Sequence, residues 1–140
     1  MSLDSIFSIA GSGMNAQSLR LNTTASNLAN ADAASSSIDE TYRGRHPVFA
    51  ALRDTLDMDK NGGASVGVSV LGIVESDAPL QPRYEPEHPL ADQEGYVYYP
   101  NVNVVEEMTN MISASRSFQM NVEVMNSAKQ MMQRTLSLGQ

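Results

Sequence analysis

Residues 104–136 read VVEEMTNMISASRSFQMNVEVMNSAKQMMQRTL, and their apolar side chains recur every seven positions. The seam runs Val104, Met108, Met111, Ser115, Phe118, Val122, Met125, Lys129, Met132, Leu136, and only Ser115 and Lys129 interrupt it. Steps of four and three alternate without a slip. That is the pattern of a coiled-coil seam, narrower than the stripe of an ordinary amphipathic helix. A long helix is stabilised mainly by packing its apolar face, so this stretch predicts a partner helix.

The partner lies at the other end of the chain. Residues 4–31 contain no proline, and Asp4 or Ser5 is placed to cap a helix there. Phe7, Ala10, Met14, Gln17, Leu21, Thr24, Leu28 and Ala31 form a second seven-residue seam of smaller side chains. Small residues permit close approach, so the two segments are expected to pair antiparallel and bring the termini together. The expected fold is mainly α with a small β insertion, in three units. These are an N-terminal coiled-coil helix over 1–31, a linker and short β-rich middle over 32–101, and a C-terminal coiled-coil helix over 102–140.

The middle differs in composition. Residues 31–38 (ADAASSSI) read as a small-residue linker, and 41–49 as extended chain. Asn61-Gly62-Gly63 is a turn signal, and Val66, Val68, Val70, Ile73 and Val74 mark a β-branched strand. Pro79, Pro82, Pro86 and Pro89 predict a helix-free run, and GYVYY at 95–99 predicts another strand. Pro100 stops it. Asn103 with Glu106 then forms a capping box for the long helix, which Gly139 is placed to end.

Charge follows the same division. The formal net charge is −7, yet residues 1–31 carry only Asp4 and Arg20. Residues 105–140 balance three acids against three bases, so residues 32–104 hold twelve acids against five bases. Neither helix offers the basic stripe that phosphate contacts require, which argues against nucleic-acid binding. Cysteine is absent, which removes disulfides and thiolate metal sites. Before Gly11 there is no Lys or Arg, and the apolar run at 6–10 is too short for a cleaved secretory signal. No stretch reaches the length of a membrane span. A cytoplasmic location follows by default unless export uses an uncleaved signal.

Three patterns resemble chemistry. Gly11-Ser12-Gly13-Met14-Asn15-Ala16 matches the G-x-G-x-x-A dinucleotide fingerprint, but the polar, small residues 33–37 do not supply its second strand. Glycines where a helix meets a close neighbour explain it better. Asp57-x-Asp59-x-Asn61-Gly62 matches the opening half of an EF-hand loop. Its twelfth position is Val68 rather than the bidentate Glu, so a solvated turn is the expected reading. His46 and His88 each precede a proline, and no second histidine lies at helical spacing from either, so both read as turn histidines. No catalytic residue, cofactor, metal site or small-molecule substrate is expected.

Instead the helices carry neutral polar faces. Asn15, Ser18, Asn22, Ser26, Asn27 and Asn30 lie on one, and Asn110, Ser117, Asn121, Asn126 and Gln130 on the other. Solvated helix faces are usually rich in Lys and Glu, whereas amides dehydrate at lower cost when paired. Met120, Met131 and Met132 lie off the seam and give the long helix a second apolar stripe. Methionine adapts to non-identical neighbours. The interaction surface is therefore expected to include Phe7, Met14, Leu21, Leu28, Met108, Met111, Phe118, Val122, Met125 and Leu136. The amides of Asn22, Asn27, Asn30, Asn121 and Asn126 are expected to touch adjacent subunits.

Ser12-Gly13-Met14-Asn15-Ala16-Gln17, Arg20-Leu21-Asn22 and Ala25-Ser26-Asn27-Leu28-Ala29-Asn30-Ala31 resemble the N-terminal signature of flagellar rod and hook proteins. Gly95-Tyr96-Val97 and Pro100-Asn101-Val102-Asn103-Val104-Val105-Glu106-Glu107-Met108 resemble the proximal-rod members of that family. So do Ala114-Ser115-Arg116-Ser117-Phe118, Asn121-Val122, Tyr42-Arg43 and His88-Pro89-Leu90-Ala91. Many relatives continue the asparagine motif as Asn-Thr-x-Gly-Tyr, whereas this chain reaches Tyr42 only after a longer linker.

The resemblance implies a structural subunit of the bacterial flagellar basal body, exported unfolded without signal cleavage to the periplasmic rod. It implies helical assembly into a drive shaft and export-channel wall that transmits torque. The implied partners are copies of itself, other proximal and distal rod proteins, and rod-base adaptor and export-gate proteins. Nucleic acid and direct membrane insertion are not among them. A soluble helical-hairpin adaptor is the alternative reading of the same two seams.

Overall fold

The computed structural model describes residues 3–53 and 65–138. Two helices flank a region of short antiparallel strands, in the order α1 (Leu3–Ala29), β1 (Arg45–Arg53), β2 (Ser65–Glu75), β3 (Gln81–Tyr84), β4 (Tyr96–Tyr99) and α2 (Val104–Leu138). The Asp57–Gly62 loop, the 61–63 turn and the Gly139 cap lie outside the described residues. α1 is already helical at Leu3, so Asp4 sits within its first turn rather than ahead of it.

α1 ends where asparagine competes for its last carbonyls. The Asn30 Nδ2 donates to the Ser26 carbonyl at 2.8 Å, and the Asn30 N–H also reaches Ser26 and Asn27. α2 begins at Asn103, whose Oδ1 accepts from the N–H groups of Val105 and Glu106 at 3.1 and 3.4 Å. Its carbonyl takes the first helical bond, from Glu107.

β1 and β2 form an antiparallel hairpin from Arg45↔Glu75 to Arg53↔Ser65, with register shifts after Val48 and Leu52. β3 and β4 form a second two-stranded sheet, from Gln81↔Tyr99 to Tyr84↔Tyr96. The proline run was expected only as extended chain, yet Pro82 is accommodated in β3. A proline is tolerated in so short an edge strand because its missing N–H can face away from the partner. Ser35 in the linker bridges to Tyr98 by two backbone bonds of 3.0 Å.

Where the helices and strands meet, two asparagines do the joining. Asn27 is 1% exposed. Its Nδ2 donates to the Arg45 carbonyl at 2.8 Å, and its Oδ1 accepts from the Arg45 N–H at 2.9 Å and the Tyr42 hydroxyl at 2.8 Å. One amide side chain thus stands in for a strand neighbour at the start of β1. Asn101 plays the matching part ahead of α2. Its Oδ1 accepts from the Gly44 N–H at 2.8 Å, and its Nδ2 donates to the carbonyls of Ser76 and Ala78. The buried apolar side chains are few and mostly small: Ala10, Ala16, Ala31, Val97, Val102, Ala114 and Ala128.

Candidate assembly interface

α1 packs against both α2 and the β1–β2 hairpin, so one helix serves two contacts. Toward the hairpin, the Ser12 hydroxyl donates to the Ile9 carbonyl at 2.8 Å and accepts from the Val68 N–H at 3.1 Å. β2 comes this close because of Gly67, which has φ +146°. A Cβ there would stand 2.5 Å from the Ser12 Oγ. Ser12, Ala16, Thr23 and Asn27 follow one face at helical spacing, and the last three are buried.

Toward α2 the pairing is antiparallel: Gly11 meets Met125, Gly13 meets Asn121, and Arg20 Nη2 donates to Asn110 Oδ1 at 2.9 Å. A Cβ on Gly13 would fall 3.0 Å from the Asn121 Nδ2, so the helices are closest where α1 has no side chain. The G-x-G-x-x-A stretch is therefore continuous helix in a helix–helix contact, with no phosphate-cradling turn.

The contact face of α2 is rotated from the one the large side chains suggest. Met111, Phe118 and Met125 are half-buried. The companion row is Glu107, Ala114, Asn121 and Ala128, not Met108, Ser115, Val122 and Lys129. Glu107, Ala114 and Ala128 are buried, whereas Met108 is 51% exposed and Leu136 68%. Close approach at Gly13 selects the row with small residues, because bulky side chains there would hold the helices apart. Counting large apolar residues misses that row. A seven-residue repeat through Ala114, Asn121 and Ala128 was its sequence signal.

Of the remaining surface residues named from sequence, Phe7, Met14, Leu21, Leu28 and Val122 are half-buried. Asn22 and Asn126 are exposed, and Asn30 is half-buried. Asn27 is not available to a neighbour, since its amide is consumed by Arg45 and Tyr42. Asn121 faces Gly13 and donates to the Ser117 carbonyl at 3.0 Å, so it too belongs to the internal contact.

What α2 leaves outside is apolar. Val105 (73% exposed), Met108, Ile112, Met120, Val124 and Met131 follow its outer side. A shallow groove of about 370 Å³ runs between Thr109, Ile112, Arg116 and Met120. The hairpin adds Val48, Leu71, Ile73 and Val74, also exposed. Apolar side chains aligned on one face mark contact surfaces.

The β3–β4 sheet is held by local polar contacts. Asp92 Oδ1 accepts from the N–H groups of Tyr96 and Glu94 at 2.8 and 2.9 Å, and its Oδ2 accepts from the Tyr98 hydroxyl at 3.3 Å. The Tyr96 N–H is the main cause holding the Asp92 carboxyl below its ordinary value, against a smaller opposing effect of desolvation. Desolvation, and then the Asp92 charge, push the Tyr98 hydroxyl up. His46 lies in β1 opposite Val74 rather than in a turn. His88 does sit in a turn, where its Nδ1 accepts from the Leu90 N–H at 3.1 Å. Among the described residues, no group of three His, Cys, Asp or Glu side chains could hold a metal ion, and no helix is long and apolar enough to cross a membrane.

Comparison with known proteins places both helices in one context. Residues 7–34 match the family described as "Flagella basal body rod protein", and residues 93–138 match "Flagellar basal body rod FlgEFG protein C-terminal". Over 140 residues, covering the whole of both chains, the sequence is 51% identical to the "Flagellar basal-body rod protein FlgC" of Escherichia coli O6:H1. The Salmonella typhimurium protein of the same name is also 51% identical over the full length, and that of Yersinia enterocolitica 48%. The two matched segments contain most of α1 and all of α2, the elements that carry the exposed apolar stripe and the internal contact.

Proposed function

The chain belongs to the FlgC family of flagellar basal-body rod proteins, structural subunits rather than enzymes, and we propose how its surfaces place it in the rod. Copies pack side by side in the proximal rod with the α1–α2 pair as the repeating strut. The face rotated away from α1 seats against neighbours: Val105, Met108, Ile112, Met120, Val124 and Met131, joined by Leu136 exposed near the end of α2 and flanked by the amides of Asn22, Asn30 and Asn126. Phe7, Met14, Leu21, Leu28, Met111, Phe118, Val122 and Met125 hold the strut together and fill its rims.

The observation that carries this reading is the outer stripe of α2. Removing a half-exposed large apolar side chain from water is worth roughly 1 kcal/mol. A row of them along a 35-residue helix makes that face a far better contact than a solvated surface. Torque passes between subunits through these packed faces. Near-neutral helix ends and an acidic middle suit a subunit whose ends are enclosed by others. The rod also meets other rod proteins, the rod-base adaptor and the export gate. Its location is the periplasm, after unfolded export without signal cleavage.

Ile112→Glu and Met120→Glu test this. Each side chain lies outside the α1 contact, so the chain should fold and be exported while basal bodies lack rods and cells do not swim. Normal motility in both variants would refute the outer-stripe assignment.

A further inference from the structure

α1 carries very little charge, which makes the position of Arg20 informative. Its guanidinium is half-buried where α1, α2 and β1 converge, in a cleft of about 290 Å³ whose walls include Thr24, Pro47, Phe49 and Asn110. Asn110 Oδ1 accepts from Nη2 at 2.9 Å and fixes the group's orientation. A guanidinium has five N–H donors, and among the described residues no carboxylate lies within ion-pair distance of this one.

The other cations near the strands are differently placed. Arg45 at the rim pairs with Glu75 at 3.1 Å, Arg43 donates to the carbonyls of Ser76 and Ala78, and Arg83 lies 4.4 Å from the centre of the Tyr99 ring. Arg20 differs from these three in that, among the described residues, its one hydrogen bond goes to a side chain of its own cleft and most of its donors are unused. Pro47 and Phe49 lower the local dielectric there, which strengthens a charge-assisted bond and makes an unpaired charge costly.

We propose that this cleft receives a carboxylate from a second copy of the chain, held by Arg20. The inference rests on the rod-subunit reading, since it needs copies side by side. Charge complementarity selects the occupant. With 16 acids against 9 bases, neighbouring copies repel unless acid on one meets base on the next. Asp77, Glu87 and Glu94 are exposed and have no ion pair among the described residues. All three lie between β2 and β4, within the acidic residues 32–104. One of them fills the cleft, forming a bidentate pair with the guanidinium.

The test uses purified basal bodies from cells carrying Arg20→Lys, which places a couplable amine at the site. Zero-length carbodiimide coupling should give a species of twice the chain mass. Peptide mass spectrometry should join position 20 to Asp77, Glu87 or Glu94. A link within one chain, a link to a different protein, or no link would each overturn the proposal. Absence of the chain from basal bodies would instead refute the rod reading itself.

Charge reversal provides an independent readout. Arg20→Glu should lower assembled rods at least about tenfold, and one of Asp77→Lys, Glu87→Lys or Glu94→Lys should restore them. Failure of all three reversals would overturn the proposal.

Discussion

Asn27→Ala removes the side chain that joins α1 to the first residue of β1. Three hydrogen bonds go with it: Nδ2 to the Arg45 carbonyl, and Oδ1 from the Arg45 N–H and the Tyr42 hydroxyl. At about 1 kcal/mol net for each, the loss is about 3 kcal/mol, and more if the stranded backbone groups stay dry. Asn27→Asp is the sharper probe. It keeps the two acceptor bonds but sets a carboxylate against the Arg45 carbonyl, in a site that is 1% exposed for the native side chain.

Burial and that carbonyl raise the folded-state pKa of the introduced group above its unfolded value of about 3.9. Stability relative to the parent is therefore lost as pH rises through the raised value and regained below it, where the protonated carboxyl donates to Arg45. Urea unfolding followed by circular dichroism reads this, in enough sucrose to hold the parent chain folded. Asn27→Asp should match or exceed the loss in Asn27→Ala at pH 7 and recover most of it near pH 4. A loss below about 1 kcal/mol in Asn27→Ala, or no pH dependence in Asn27→Asp relative to the parent, would refute the strand-mimicking amide.

Gly67→Ala should destabilise the chain by about 2 kcal/mol or more in the same assay, through the clash with Ser12 Oγ and a positive φ. Adding Ser12→Ala should return only part of it, because the Val68 N–H then lacks its acceptor. The Asp92 carboxyl titrates below its ordinary value, so its contribution is full above the ordinary aspartate range and is lost as pH falls through the depressed value. Protection of the Tyr96 amide from hydrogen exchange, relative to its intrinsic rate at each pH, should fall in that acid window, and Asp92→Asn should abolish that change in protection. Met125→Glu puts a carboxylate where α2 meets Gly11. Swimming and rod assembly should fail while the chain is still synthesised, and normal motility would contradict the helix contact.

Much of this architecture is legible in the sequence because backbone preferences are local. Asn103 caps α2, the β-branched run becomes β2, and the tyrosine-rich run becomes β4, each by chemistry confined to a few neighbouring residues. The need of α2 for a partner helix is equally plain from its repeat. Which row meets that partner is not plain, because it depends on how near two helices come. Gly13 lets α1 approach, and the approach favours Ala114 and Ala128 over Met108 and Lys129. The role of Asn27 was hidden for a similar reason. An amide on a helix reads as surface until β1 is brought against it, and only then does it find both backbone groups of Arg45. The small buried set, mostly alanine, also explains why so much apolar surface remains for neighbours.

The central claim is that each chain pairs its own two helices and turns the opposite face of α2 to other copies. The absence of cysteine allows a direct measurement. Gly13→Cys with Asn121→Cys places two sulfurs across the close contact, where a Cβ at position 13 lies 3.3 Å from the Asn121 Cγ, within reach of a disulfide. Mild oxidation of basal bodies carrying both substitutions should yield a bridge inside one chain, migrating as monomer on a non-reducing gel. A ladder of linked chains would mean that α1 pairs with α2 of another copy, and an unoxidised pair would mean that the two helices do not meet. Either result would contradict the account.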